Sequence, residues 1–220
     1  VTSDQILAFE VRTQVYDLLA NLYLSPPDDD TLTRLKHPGF TSDWPLARDQ
    51  ADVEAGLSRL SRALPQVTAA QLQDEFHRLF GTLGPAAAPP WQSVYLDRER
   101  VVMGEETLRI RELFARYGLA FVHRNRLPDD HLGLELQFLS VLAGRTAEAL
   151  ARGDCDAVRP LLEGMQECLD NHLLRWLDQF VARAEAASPT GVYAGLSRLT
   201  LGVVRSDSRQ IRQQLAVMHR

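Results

Sequence analysis

The stretch RLPDDHLGLELQFL, residues 126–139, decides how the whole chain is interpreted. Its leucines recur at three- and four-residue spacing, as on the buried face of an α-helix. A carboxylate in the first turn is favoured by the helix dipole, so we predict that Asp129 or Asp130 is the N-cap. The neighbouring Asp130-His131 pair also permits other roles: a catalytic dyad, half of a metal site, or part of a surface that grips a partner.

Apolar stripes with helical spacing occur on both sides of this stretch, and no run alternates with period two over more than a few residues. A capping box is predicted at Thr68 and Gln71, a helix end at Gly81 and another at Gly118. The pattern predicts an all-α fold, a single-domain multi-helix bundle. We expect the helical domain to span residues 1–204, and residues 205–220 to form a polar C-terminal tail or a frayed helix.

Composition narrows the class of function. The chain has 220 residues, 45% of them hydrophobic, and a net charge of −5. The acidic balance disfavours nucleic-acid binding, and the absence of a long apolar run predicts no membrane insertion. The first ten residues lack a basic region, so we expect no signal peptide. Two cysteines do not make a disulfide framework and fit a reducing cytoplasm.

The sequence lacks the motifs that a catalytic site or a metal site would need. A hydrolase built on Asp130 and His131 would also require an activated nucleophile, and no G-x-S-x-G elbow is present. Cys168 and His172 are four residues apart, but no CxxC or HExxH motif accompanies them. We therefore expect no metal, no cofactor and no catalysis, and we keep the hydrolase as the remote alternative.

A cluster of aromatic and prolyl residues surrounds the Gly- and Pro-rich segment 81–91. Its members are Phe76, Phe80, Pro89, Pro90, Trp91 and Tyr95. They either fill the core between a helix and a docked loop, or line an apolar groove. In the second case the rim would carry Asp97, Glu105, Asp130 and His131. Such a groove suits an apolar peptide with basic residues at one end.

Three spaced blocks give a more specific signal. EFHRLFG (75–81), PPWQSVYLDRERVVMGEETL (89–108) and PDDHLGLELQFLSVLA (128–143) resemble the TorD/DmsD family of chaperones that mature molybdenum-containing redox enzymes. HLLRWLDQFVARAE (172–185), Tyr193 and RLTL (198–201) also fit, and the middle block looks most like the DmsD branch. That branch often has tryptophan at the position of Phe76, which suggests a pocket shaped for a different client.

The resemblance implies an all-helical cytoplasmic protein without enzyme activity. Its partner would be the twin-arginine signal peptide of a molybdoenzyme, which it would bind until folding and cofactor insertion are complete. Components of the Tat translocase are a further expected partner. We expect a monomer, with exchange of helices between two subunits as the alternative. The peptide-binding positions carried over, with the flanking candidates from the cluster above, are Phe76, Leu79, Phe80, Pro90, Trp91, Tyr95, Asp97, Gly104, Glu105, Pro128, Asp130 and His131.

Two other hypotheses compete with a chaperone that binds a signal peptide. A NarJ-like assembly chaperone, which serves another molybdoenzyme such as nitrate reductase, would bind the mature client instead of a signal peptide. A helical scaffold without a peptide ligand would have Trp91 fully buried.

Overall fold

A computed structural model describes residues 2–81, 85–96, 104–120 and 127–218. Within these ranges the secondary structure is helical and no strand is formed, which confirms the predicted all-α fold. The α-helices, α1 to α11 in chain order, are Ser3–Leu24, Asp29–Lys36, Pro38–Ser42, Ala51–Ala63, Ala69–Phe80, Gln92–Leu96, Glu105–Arg116, Leu132–Ala151, Cys155–Glu167, Leu174–Ala187 and Val192–Met218. A 3₁₀ turn, Leu64–Gln66, follows α4, and a π-helical segment, Cys168–Leu173, joins α9 to α10.

Two long helix pairs form the body of the bundle. Helix α1 packs along α8, α11 packs along α4, and α10 also packs against α11. The α4–α11 approach is so close that a Cβ on Gly56 would lie 2.6 Å from the backbone nitrogen of Leu199. Glycine at that position therefore sets the separation of the two helices. Between the pairs lies one continuous apolar core.

Local signals in the sequence located several helix ends correctly. Thr68 and Gln71 form the predicted capping box of α5. Gly81, with φ 83°, ends α5 in the left-handed conformation that glycine adopts without strain. Gly118, with φ 67°, follows the end of α7 as predicted. These ends depend on neighbours within a few residues, which is why sequence alone finds them.

The C-terminal residues are helical, as one of the two expected forms has it, but they do not form a separate tail. Residues 205–218 continue α11 as far as Met218, so the boundary expected at residue 204 falls inside a helix. A buried ion pair explains this. The Arg12 Nε donates to Asp207 Oδ1 at 3.0 Å, and the Tyr16 hydroxyl donates to Asp207 Oδ2 at 2.8 Å. These bonds dock the polar half of α11 onto α1.

None of the helices in the described ranges combines the length and the apolar character that crossing a membrane requires.

Candidate functional site

His131 begins α8. Its Nδ1 accepts a hydrogen bond from the backbone N–H of Gly133 at 3.0 Å, with extended backbone at φ −75° and ψ 131°. The prediction that Asp129 or Asp130 caps this helix is therefore wrong. Burial lowers the pKa of His131 to about 3, so the ring is neutral at pH 7 and Nδ1 is free to accept.

The two aspartates are engaged elsewhere. Asp129 binds Arg111, whose Nε lies 2.6 Å from Asp129 Oδ2. Asp130 accepts from the backbone N–H of Ser93 and from the hydroxyl of Thr107, both at 2.8 Å. Asp130 thus joins the start of α8 to α6 and α7, and neither aspartate remains available to cap α8.

The expectation that Asp130 and His131 lie on an exposed rim is wrong. Asp130 is 0% exposed and His131 is 4% exposed. Their hydrogen bonds are compatible with this burial, because Asp130 accepts from Ser93 and Thr107 and His131 accepts from Gly133. Of the other expected rim residues, Glu105 is exposed and pairs with Arg109, while Asp97 lies outside the described residues.

Residues 90–92 pair with residues 130–132 across a short antiparallel bridge. Leu132 donates its N–H to the carbonyl of Pro90 at 2.8 Å, and Gln92 donates to the carbonyl of Asp130 at 3.0 Å. The rings of Trp91 and His131 meet edge to face, with 5.4 Å between their centroids. The structure therefore brings Pro90, Trp91, Asp130 and His131 together. Trp91 is half-buried, not sealed from water.

The other predicted positions divide between core and surface. Phe76, Leu79 and Phe80 are at most 3% exposed, so in this structure they fill the core as the first alternative expected. Tyr95, Gly104 and Pro128 are half-buried. A row of aromatic rings connects the two groups. Tyr95 stacks on Trp176 with 5.3 Å between the ring centroids; the centroids of Trp176 and Phe180 are 5.7 Å apart, and those of Phe180 and Phe80 are 6.2 Å apart.

A polar layer lies next to this row of rings, between α6, α7 and the π-helical segment. Gln92 donates to Glu106 Oε2 at 2.7 Å, and its carbonyl faces His172 Nδ1 at 3.2 Å. Burial lowers the pKa of His172 to about 4. Because the amide oxygen of Gln92 can only accept, the Nδ1–H of His172 acts as the donor. Arg175 and Arg109 complete the layer with ion pairs to Glu106 at 2.8 and 3.1 Å. Beside the layer a cavity of about 600 Å³ opens among Arg109, Arg116, Arg175, Asn171 and His172.

One buried carboxyl in this region was missed by the sequence analysis. Glu135 is 0% exposed, and neither of its oxygens has a hydrogen-bond partner among the described residues. Burial, followed by the charges of Asp130 and Glu106, raises its pKa well above the usual value. In the sequence, Glu135 interrupts an apolar run, and that interruption was the available signal.

The unpartnered buried atoms are concentrated here. Eight buried side-chain oxygen or nitrogen atoms lack a partner in the described part of the chain, and six of them belong to this region. They lie on Trp91, Ser93, Tyr95, Glu135 and Trp176. Native proteins leave few buried polar groups unsatisfied, and such groups often mark a place where a ligand or water binds.

The arrangement does not support catalysis by Asp130 and His131. The acceptors of Asp130 are occupied by Ser93 and Thr107, and the Nδ1 of His131 holds Gly133. A relay needs the carboxylate to orient the imidazole, and these bonds are directed elsewhere. The described residues contain no group of three or more metal-ligating side chains suitably placed for an ion.

Comparison with known proteins identifies the family. The chain belongs to the nitrate reductase delta subunit family, whose model matches residues 46–182. It is 31% identical over 207 residues to the chaperone protein TorD of Salmonella arizonae, covering 91% of each chain. It is 30% identical over 178 residues to the Tat proofreading chaperone DmsD of Salmonella typhi, covering 79% of this chain and 76% of the relative.

These relatives confirm the TorD/DmsD resemblance, and both branches match at nearly the same identity. A similarity to DmsD above TorD stays a prediction. A solved structure described as a redox enzyme maturation protein, from Archaeoglobus fulgidus, superposes with a TM-score of 0.52 at 24% identity, covering 91% of this chain and 93% of the other. It supports the helical fold. The family is one of chaperones in molybdoenzyme maturation and not of enzymes.

Proposed function

We propose that this chain is a cytoplasmic chaperone that binds the twin-arginine signal peptide of a molybdopterin-containing oxidoreductase. The client would be of the dimethyl-sulfoxide or trimethylamine-oxide reductase type. Binding would hold the precursor back from Tat export until it has folded and received its cofactor. The names of the TorD and DmsD relatives support this role.

The observation that carries the proposal is the concentration of unpartnered polar atoms around the bridge between residues 90–92 and 130–132. Trp91, Ser93, Tyr95 and Trp176 offer N–H and O–H donors beside aromatic rings. An extended peptide presents carbonyl acceptors and apolar side chains, so this combination matches its needs. The same segment carries the positions that the resemblance assigned to peptide binding.

A shift of α6 would expose this surface. The helix has five residues. Its described anchors are two hydrogen bonds to Asp130, the hydrogen bonds of Gln92 with Glu106 and His172, and the stacking of Tyr95 on Trp176, and a shift would have to break them. Behind the helix lie Phe80 and Phe180, which would contribute apolar contact area. Burial of apolar surface contributes about 25 cal/mol per Å² before the cost of ordering the peptide is subtracted.

A second surface, the rival groove, is the alternative place for peptide binding. A cavity of about 650 Å³ lies between the first turns of α1, α9 and the end of α11, lined by Phe9, Val158, Leu162 and Met218 among others. Val217 at its edge is 72% exposed. This groove offers apolar contacts at a distance from the bridge, and it supplies a matched control.

The test is a titration of a labelled synthetic twin-arginine leader, followed by fluorescence anisotropy. Trp91→Ala should weaken binding about 10-fold or more, the range expected for a tryptophan anchor. The far-ultraviolet circular dichroism of this variant should match that of the parent chain, which shows that it is folded. Val217→Ser should bind like the parent chain. The reverse result, with binding lost in Val217→Ser and kept in Trp91→Ala, would move the peptide to the rival groove.

The description of the matched family favours a second candidate, an assembly chaperone for a nitrate-reductase-type enzyme. Such a chaperone would bind its client without a twin-arginine leader. Pull-down of a client precursor with and without its leader separates the two. Dependence on the leader supports the first function, and equal capture supports the second.

A further inference from the structure

Glu135 is the least explained polar group in the described part of the chain. It lies in the first turns of α8, fully buried, with both carboxyl oxygens unpartnered. A buried carboxyl without hydrogen bonds costs several kcal/mol relative to one in water. A leucine would fit the apolar pattern of this helix face without that cost. Within the described residues no group supplies a hydrogen bond to this carboxyl, so the position suits a donor from a bound partner.

The position of Glu135 in the first turns of α8 determines which side chain of the preceding segment lies near it. With His131 as N-cap, Asp130 occupies N′ and Glu135 occupies N4. Side chains at these two positions commonly pack together as a pair of apolar residues that fixes the entry of the chain into the helix. Here both positions carry acids, and both acids are fully buried. Two carboxyl groups are thus buried near each other at the start of α8.

A third carboxyl completes the group. Glu106 of α7 interacts electrostatically with Glu135, as Asp130 does, and the thiol of Cys168 in the π-helical segment lies against the Glu135 backbone carbonyl at 3.8 Å. Glu106 is paired with Gln92, Arg109 and Arg175. Asp130 is paired with Ser93 and Thr107. Two of the three carboxyls are therefore satisfied, and Glu135 alone has no donor within the described ranges.

The missing donor is best supplied by a guanidinium group. It carries a permanent positive charge and a planar fork of N–H donors that binds a carboxylate through two parallel bonds. A lysine ammonium offers a point charge without that fork, and it is more strongly hydrated. Ser93 Oγ and Trp91 Nε1, also unpartnered, stand on the segment that would border the entry.

We propose that the Glu135 carboxyl is the acceptor for an arginine guanidinium of the bound peptide, reached when α6 moves aside. Asp130 and Glu106 are positioning residues, whose charges favour a cation at this place. The inference rests on the proposed function and assigns the discrimination of arginine from lysine in the leader to one side chain.

The experiment uses two leaders that differ only in the arginine pair, one with Arg-Arg and one with Lys-Lys. The parent chain should bind the Arg-Arg leader about 10-fold more tightly or better. Glu135→Gln keeps the size of the side chain and removes its charge, and it should reduce that ratio to about 2-fold or less while Lys-Lys binding is unchanged. Glu112→Gln, on the exposed face of α7, removes a carboxylate near the cavity and should keep the parent ratio.

A second measurement needs no variant. Burial, followed by the charges of Asp130 and Glu106, raises the pKa of Glu135, and the thiol of Cys168 also faces this residue. A guanidinium that pairs with the carboxyl favours its ionised form, so binding of the Arg-Arg leader should release protons. Calorimetry of the parent chain at pH 7 in two buffers of different ionisation enthalpy measures the number of protons released. Release with the Arg-Arg leader and none with the Lys-Lys leader supports the assignment.

The outcomes separate the two proposals. If Glu135→Gln keeps the full preference for Arg-Arg, or if no proton is released, the role of Glu135 is wrong and peptide binding stands. If the parent chain binds neither leader, the proposed function fails, and the role of Glu135 fails with it.

Discussion

Replacement of Asp130 tests whether this carboxylate acts from inside the protein or from its surface. Asp130 accepts two hydrogen bonds at 2.8 Å, from the Ser93 N–H and from the Thr107 hydroxyl. In Asp130→Asn the side-chain carbonyl can still accept from Ser93, and the amide can donate to Thr107, whose hydroxyl reverses. Both bonds survive without charge assistance, so we expect a loss of about 1 kcal/mol in unfolding free energy.

Asp130→Ala removes both acceptors. A buried N–H and a buried hydroxyl are then left without partners, at about 1–3 kcal/mol each, so the expected loss is about 2–6 kcal/mol. Denaturation by urea, followed by circular dichroism, measures both variants. The ordering of the two losses matters more than either value, because it depends on the hydrogen bonds and not on net charge.

Peptide binding by Asp130→Asn gives the second half of this prediction. An exposed carboxylate that pairs with the leader would lose its effect as salt rises, because surface charges are screened. Asp130 is buried, so the weakening caused by Asp130→Asn should be the same at about 0.05 M and about 0.5 M salt. A weakening that disappears at high salt would refute the reasoning and place Asp130 on the exposed rim.

Three other predictions concern stability. Asp207→Ala leaves the guanidinium of Arg12 uncompensated in the core and should cost about 3–5 kcal/mol of unfolding free energy by urea titration; a loss under about 1 kcal/mol would mean that residues 205–218 are not docked. The pKa of His131 is lowered to about 3, so the unfolded chain takes up the proton first and stability falls as pH drops below about 6.5, by up to about 1.4 kcal/mol per pH unit. His131→Asn keeps an N-cap and should flatten that fall in thermal melts between pH 7 and pH 4, and an unchanged slope would contradict the burial. The pKa of Glu135 is raised, so its contribution is present below the pKa of the unfolded chain and is lost as pH rises; Glu135→Gln should therefore stabilise the protein more at pH 8 than at pH 5, and equal effects at both pH values would argue against a buried acid.

The sequence predicted what depends on neighbours within one or two helical turns. The capping box at Thr68 and the glycine end at Gly81 are of this kind, and so is the all-α class itself. The cap of α8 was missed because it depends on where residues 90–93 dock, nearly 40 positions earlier in the chain. Once Ser93 and Thr107 engage Asp130, His131 is left to cap the helix.

Residues 205–218 show the same limit. Their polar composition suggested a tail, yet one aspartate paired with an arginine near the other end of the chain anchors them in the bundle. The assignment of peptide binding to the candidate site stays a prediction, but the depth of Asp130 and His131 was misjudged, because both are buried. The resemblance placed the site around Trp91 and Asp130, and only the structure revealed that most of its members are covered in the isolated chain.

Hydrogen exchange of the peptide complex, read by mass spectrometry, tests the central claim most directly. On addition of the twin-arginine leader, the account predicts altered exchange in segments 90–96 and 130–135, because the peptide would displace α6 and cover the start of α8. Segments 155–165 and 210–218, which line the rival groove, should exchange as before. Protection confined to those segments, with 90–96 and 130–135 unchanged, would contradict the account.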